Sequence, residues 1–115
     1  MRINRTWFGG VEIDGKKYRD VLIIEGKIID RGKWGYFDTH TISERELNEL
    51  LKGDPEIILI GSGQSGVLEV PEEVKMEIRK RNIELIVLET PKAIEKFNEI
   101  YEKKKKVNAL IHTTC

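Results

Sequence analysis

Two nearly uninterrupted apolar runs constrain this chain more than any other feature: Ile57-Ile58-Leu59-Ile60, and Ile83 to Leu88, broken only by Glu84. A strand buried on one face alternates polar and apolar residues, whereas the unbroken Ile-Ile-Leu-Ile of the strand Glu56 to Ile60 suits burial on both faces in the middle of a sheet. Between the runs, Val70, Val74 and Ile78 recur every fourth residue around Pro71, which fits the first position of a helix, and Asn82 suits the left-handed residue that closes one. Strand, helix and strand in that order predict parallel pairing of residues 56–60 with 83–88 through a right-handed crossover.

The flanking segments extend this unit. Ser43-Glu44-Arg45-Glu46 is a capping box, so a helix starts there, carries Leu47, Leu50 and Leu51 inward, and stops at Gly53 and Pro55. Thr90-Pro91 predicts another helix, with Thr90 as its side-chain cap and Ala93, Ile94, Phe97, Ile100 and Tyr101 as its buried stripe. Lys103 to Lys106 then fall where cations oppose the negative helix pole, which reads as a solvated helix end rather than a nucleic-acid patch. Val107 to Ile111 is the last strand.

Upstream, Val11–Ile13 and Tyr18–Ile24 flank Asp14-Gly15 as a hairpin, and a second turn at Glu25-Gly26 leads into Lys27 to Asp30. Trp7, Phe8, Trp34, Tyr36 and Phe37 supply bulky apolar surface at the margins of this meander, as core rather than as a pocket lining. The expected architecture is α/β in three layers: an N-terminal antiparallel meander packed on a central mixed, partly parallel sheet flanked by helices. At 115 residues the chain suits one core, so residues 1–115 are expected to form a single domain.

Twenty Lys plus Arg balance twenty Asp plus Glu, which argues against a general nucleic-acid or acidic-membrane binder. The sole cysteine, Cys115, rules out an internal disulfide or a multi-thiolate zinc site and reads as a frayed, inert thiol. No apolar run approaches a membrane span, and Met-Arg-Ile-Asn does not open a signal peptide, so a soluble, cytoplasmic protein is expected. Charged residues at 35% and a lone glutamine, Gln64, resemble the composition of proteins from hot environments.

The candidate chemistry sits after the first apolar run. Gly61-Ser62-Gly63-Gln64-Ser65-Gly66 fits the dinucleotide fingerprint, and Glu89 ends the next strand at the distance of a ribose-binding acid. A pyrophosphate must meet a helix that begins within such a loop, but Val67 to Val70 intervene before Pro71, so no dinucleotide and no other cofactor is expected. A tight turn is the simplest reading. Exposed amides with the Ser62 and Ser65 hydroxyls offer a second, a cradle for a carboxylate, phosphate or carbonyl group. Neither His40 nor His112 stands at a triad spacing from Ser62, and both read as solvent-facing or terminal, so no catalytic residue is assigned. Asp38 and His40 lack further ligands for a metal, and Glu72-Glu73 reflect a helix start.

One spacing pattern goes further. Gly61-Ser62-Gly63, then Thr90, Ala93, Phe97 and Asn98, then Val107, Ala109 and Leu110 resemble a family of small domains of unknown function. That family includes the adipogenesis-associated domain-containing protein and mitochondrial complex I assembly factor three. The specific match covers residues 56–112; upstream, only a strand-rich segment with Trp34 agrees. Ser62 stands where the family has threonine, and Lys104-Lys105 replace its glycine-arginine pair, so a role for that arginine's planar fork does not transfer. The resemblance implies a meander on a mixed sheet with helices and no established reaction; relatives are linked to respiratory-complex assembly or to regulation of cell differentiation.

Two functions follow. The first is a non-enzymatic interaction or assembly-factor-like domain with a protein partner. The second is a binder of a small anion or metabolite, or an enzyme, using Gly61 to Gly66 with Thr90 and Asn98. A binder needs a concave pocket beside Gly63; an interaction domain needs exposed apolar surface.

Overall fold

The Ile57–Ile60 run lies within β6 (Ile57–Ser62), the strand next to the outermost of a five-stranded sheet, in a computed structural model that describes residues 1–34 and 40–115. It runs parallel to β7 (Glu84–Leu88) on one side and to β8 (Val107–His112) on the other. Beyond β8, antiparallel β4 (Val21–Ile24) and β5 (Lys27–Asp30) complete the order β5-β4-β8-β6-β7.

Side chains alternate across a strand, and here both sets are covered. Ile57 and Leu59 face a core shared with Ile23, Ala109, Phe97 and Ile100, whereas Ile58 and Ile60 face one shared with Leu22, Leu50, Val74 and Ile78. Ile58, Leu59 and Ile60 have no exposed surface, and each burial contributes roughly 1.5–3 kcal/mol. The first core is closed by α3 (Thr90–Glu102) and by a separate antiparallel sheet of β1 (Ile3–Trp7), β2 (Gly10–Ile13) and β3 (Lys16–Tyr18). The second is closed by α1 (Glu44–Leu50) and α2 (Glu72–Lys80). This is the α/β arrangement expected, with three α-helices and two sheets among the described residues.

The turns behave as their residues require. Asp14-Gly15 and Glu25-Gly26 all have positive φ, the requirement of a two-residue hairpin turn whose twist matches its strands. Asn82 is left-handed after α2, and Ser43 with Glu46 closes the capping box of α1.

Several expectations need correction. Tyr18–Ile24 is not one strand: the chain leaves the first sheet at Tyr18 and enters the second at Val21, because Asp20 turns inward to partners described below. Pro71 stands one position before α2 rather than inside it. Thr90 is the first residue of α3 and no cap for it; its hydroxyl is engaged elsewhere. Phe8, at a hairpin tip, is 67% exposed and belongs to no core, while Trp34 packs against the second core under the Arg45 guanidinium at 3.8 Å. Tyr36, Phe37 and Asp38 lie outside the described residues. No helix among the described residues is long and apolar enough to cross a membrane.

Candidate functional site

Because β6 is parallel to β7 and β8, the glycine loop meets both neighbours' C-terminal ends. Gly63 donates its amide to Thr90 Oγ1 at 2.9 Å, and the same hydroxyl donates to the His112 carbonyl. Ser62 is buried, and its hydroxyl donates to the Leu88 carbonyl at 3.1 Å. Gln64 reaches out with one side-chain amide to Thr6 Oγ1, the Trp7 carbonyl and the Thr113 carbonyl. The loop is thus a knot joining both sheets.

Its backbone donors are engaged too. The Gln64 amide donates to the Thr114 carbonyl at 2.7 Å, and the Ser65 and Val67 amides converge on the Cys115 backbone oxygen at 3.1 and 2.9 Å. Residues 113–115 therefore lie along the loop. The Cys115 thiol is exposed, but the backbone at this position is held rather than frayed. Gly63 has φ of 103°, and a Cβ there would meet the Cys115 backbone carbon at 2.3 Å, so this close approach needs glycine. Of the residues grouped by sequence, Gly61 to Gly66 and Thr90 do come together. Asn98 does not join them: it accepts from the Ile3 amide and donates to the Ile3 carbonyl, fastening β1 to α3. A surface cleft of about 350 Å³ opens at the opposite end of the sheet, lined by Glu25, Gly53, Tyr101, Lys105 and Asn108.

Beside the loop lies a polar cluster that sequence reasoning missed. Asp20, Arg31, Glu46, His112 and Thr113 are all buried. Arg31 bridges the Asp20 and Glu46 carboxylates, and Asp20 also accepts from the Thr113 amide and hydroxyl at 2.9 and 2.8 Å. Its other oxygen lies 2.7 Å from His112 Nδ1. Burial alone would raise the Asp20 carboxyl, but the hydrogen bond and charge of His112, the Thr113 hydroxyl and the Arg31 guanidinium outweigh it and hold Asp20 below its ordinary value of 3.8. His112 is accordingly fully buried, not terminal or solvent-facing; His40 is exposed and meets its ring edge-on at 5.7 Å. Among the described residues no group of three or more His, Cys, Asp or Glu could hold a metal ion.

Residues 3–112 match the family described as "Protein of unknown function (DUF498/DUF598)". The chain belongs to that family. The match extends the resemblance seen in residues 56–112 over nearly the whole sequence, and the DUF498/DUF598 (Mth938-like) family includes mitochondrial complex I assembly factor three and the adipogenesis-associated domain-containing protein. Among solved structures, this DUF498/DUF598 chain is similar to the conserved hypothetical protein PH1505 from Pyrococcus horikoshii OT3, at 32% identity and a TM-score of 0.85, with all of both chains covered. It is also similar to MT938, at 33% identity and a TM-score of 0.78, over 99% of this chain and 98% of that one. A protein described as an outer membrane protein from Bartonella henselae shares the fold at 22% identity and a TM-score of 0.80, over 98% and 94% of the two chains.

Proposed function

We propose that this chain is a non-enzymatic interaction protein of the assembly-factor kind, taking up an extended segment of a partner along β7. The observation that carries this reading is the edge of the five-stranded sheet. Among the described residues β7 pairs with β6 on one side only, and its sequence Glu84-Leu85-Ile86-Val87-Leu88 has a single charge, at its start. Natural edge strands usually carry central charges, prolines or bulges that block pairing; Val87 is instead 42% exposed on this one. An added strand would gain main-chain hydrogen bonds from the edge and apolar contacts from alternate side chains. Kinship with a respiratory-complex assembly factor favours the same class of function.

The glycine-loop reading has less support, because the Gln64, Ser65 and Val67 amides that would hold an anion are engaged by backbone oxygens of Thr114 and Cys115. The test pairs two measurements. Copurification from the native cell should return a protein partner that Val87→Lys loses while keeping the wild-type melting temperature. Thermal-shift screening with anions and nucleotides should leave the melting temperature unchanged. A clear upward shift with one of them, together with a partner list unaffected by Val87→Lys, would overturn the proposal.

A further inference from the structure

Asp20, His112 and Thr114 form an ordered relay from the core towards the surface. Asp20 Oδ2 lies 2.7 Å from His112 Nδ1, and His112 Nε2 lies 3.0 Å from Thr114 Oγ1. Asp20 acts only as an acceptor here, receiving the Thr113 amide and hydroxyl and the Arg31 guanidinium. The nitrogen facing it, Nδ1, therefore carries a proton in either charge state of the ring, and when the ring is neutral its lone pair lies on Nε2, directed at the Thr114 hydroxyl. Asp20 and His112 are dry, at 1% and 0% exposure, whereas Thr114 is half-buried and adjoins exposed Cys115. Carboxylate, imidazole and hydroxyl in this order activate an alcohol for nucleophilic attack.

The surroundings suit the charge such a step creates. Among the described residues the cluster holds two carboxylates, Asp20 and Glu46, and one guanidinium, Arg31, so a proton taken up by His112 enters a site of negative excess. A second requirement, stabilisation of an oxyanion, is met less well. The Ser65 and Val67 amides, the donor pair beside Thr114, both point at the Cys115 backbone oxygen.

We propose that Thr114 is a self-acylation site that takes the acyl group of an activated ester or thioester. The Thr114 Oγ1–acyl carbon bond forms and the bond from that carbon to the leaving oxygen or sulfur breaks. The hydroxyl proton passes to His112 Nε2 and from there to the departing phenolate or thiolate. With the Ser65 and Val67 amides engaged, only acyl donors with good leaving groups react, and the acyl-threonine persists. The product is a stoichiometric mark on the chain rather than turnover, and it is independent of the β7 reading.

The experiment uses p-nitrophenyl acetate on the Cys115→Ala chain, which removes the exposed thiol, followed by peptide mapping before and after hydroxylamine, which cleaves esters and spares acetyl-lysine. The expected result is one hydroxylamine-labile acetyl group on Thr114, retained in Thr114→Ser and absent from Thr114→Val. Both variants lie at the outer end of the relay and leave the buried cluster intact, so this comparison does not depend on a core variant folding. In a His112→Gln chain that keeps its native circular dichroism, labelling should slow by about 100- to 10,000-fold, the usual contribution of a positioned base. Acetylation confined to lysines and resistant to hydroxylamine would overturn the proposal, as would Thr114 labelling at an unchanged rate in folded His112→Gln.

Discussion

Asp20 and His112 stand 92 positions apart in the chain and meet at 2.7 Å in its interior. This contact joins the start of β4 to the end of β8, two strands already paired through Val21 and Ile111. It also brings Arg31 and Glu46 into one buried cluster with them. Removing the Asp20 charge takes one carboxylate from Arg31 and the facing carboxylate from His112, and breaking a buried pair in this way typically costs about 3–5 kcal/mol. Asp20→Asn should destabilise the chain on that scale, read as a lower midpoint in denaturant.

The same contact sets the acid response. Since the folded chain holds the Asp20 carboxyl below 3.8, its contribution to stability is complete above that value and is lost as pH falls through the depressed folded value. Unfolding free energy measured against pH should fall below 3.8 in the wild type. In Asp20→Asn this part of the decline should be absent.

Thr90 links the glycine loop to β8 with a single hydroxyl. Thr90→Val orphans the Gly63 amide and the His112 carbonyl, both buried, at about 1–3 kcal/mol for each group left without a partner. Thr90→Ser keeps the hydroxyl and should stay much closer to wild type. If Thr90 acted as a helix cap, the damage would appear instead as fraying of α3 in circular dichroism.

The glycines of the loop are not equivalent. Gly63→Ala combines a positive φ with a backbone clash against Cys115, whereas at Gly66 the nearest atom to an added Cβ is the flexible Glu89 side chain at 3.2 Å. Both substitutions strain the backbone, by roughly 1–3 kcal/mol. The melting temperature should fall further for Gly63→Ala.

Asn98 gives a local effect. Asn98→Ala removes both hydrogen bonds to the Ile3 backbone, so β1 should loosen while the five-stranded sheet remains. Hydrogen exchange at the Ile3 amide should accelerate, with little change at Leu59 or Leu110.

Much of this fold was legible because its signals are local. The capping box at Ser43, the Asp14-Gly15 and Glu25-Gly26 turns and the Ile57–Ile60 run each specify their structure within a few residues. The Asp20 cluster was not legible, since its contacts span 11, 15 and 92 positions and follow no periodicity. A signal was nevertheless present: Asp20 and Arg31 bracket an apolar hairpin, and His112 ends the apolar strand Val107–Ile111. An ionisable residue abutting a fully buried strand needs a partner, and those three are one another's. The candidate site was half legible, because glycine spacing marks a close backbone approach without telling what approaches. Here it is residues 113–115 of the same chain.

Hydrogen exchange at the Gln64, Ser65 and Val67 amides, on the purified chain with no added ligand, tests most directly the claim that the glycine loop clasps the chain itself. Slow exchange at all three, unchanged by phosphate or nucleotide, is the predicted result. Fast exchange at these amides, slowed only when an anion is added, would contradict it.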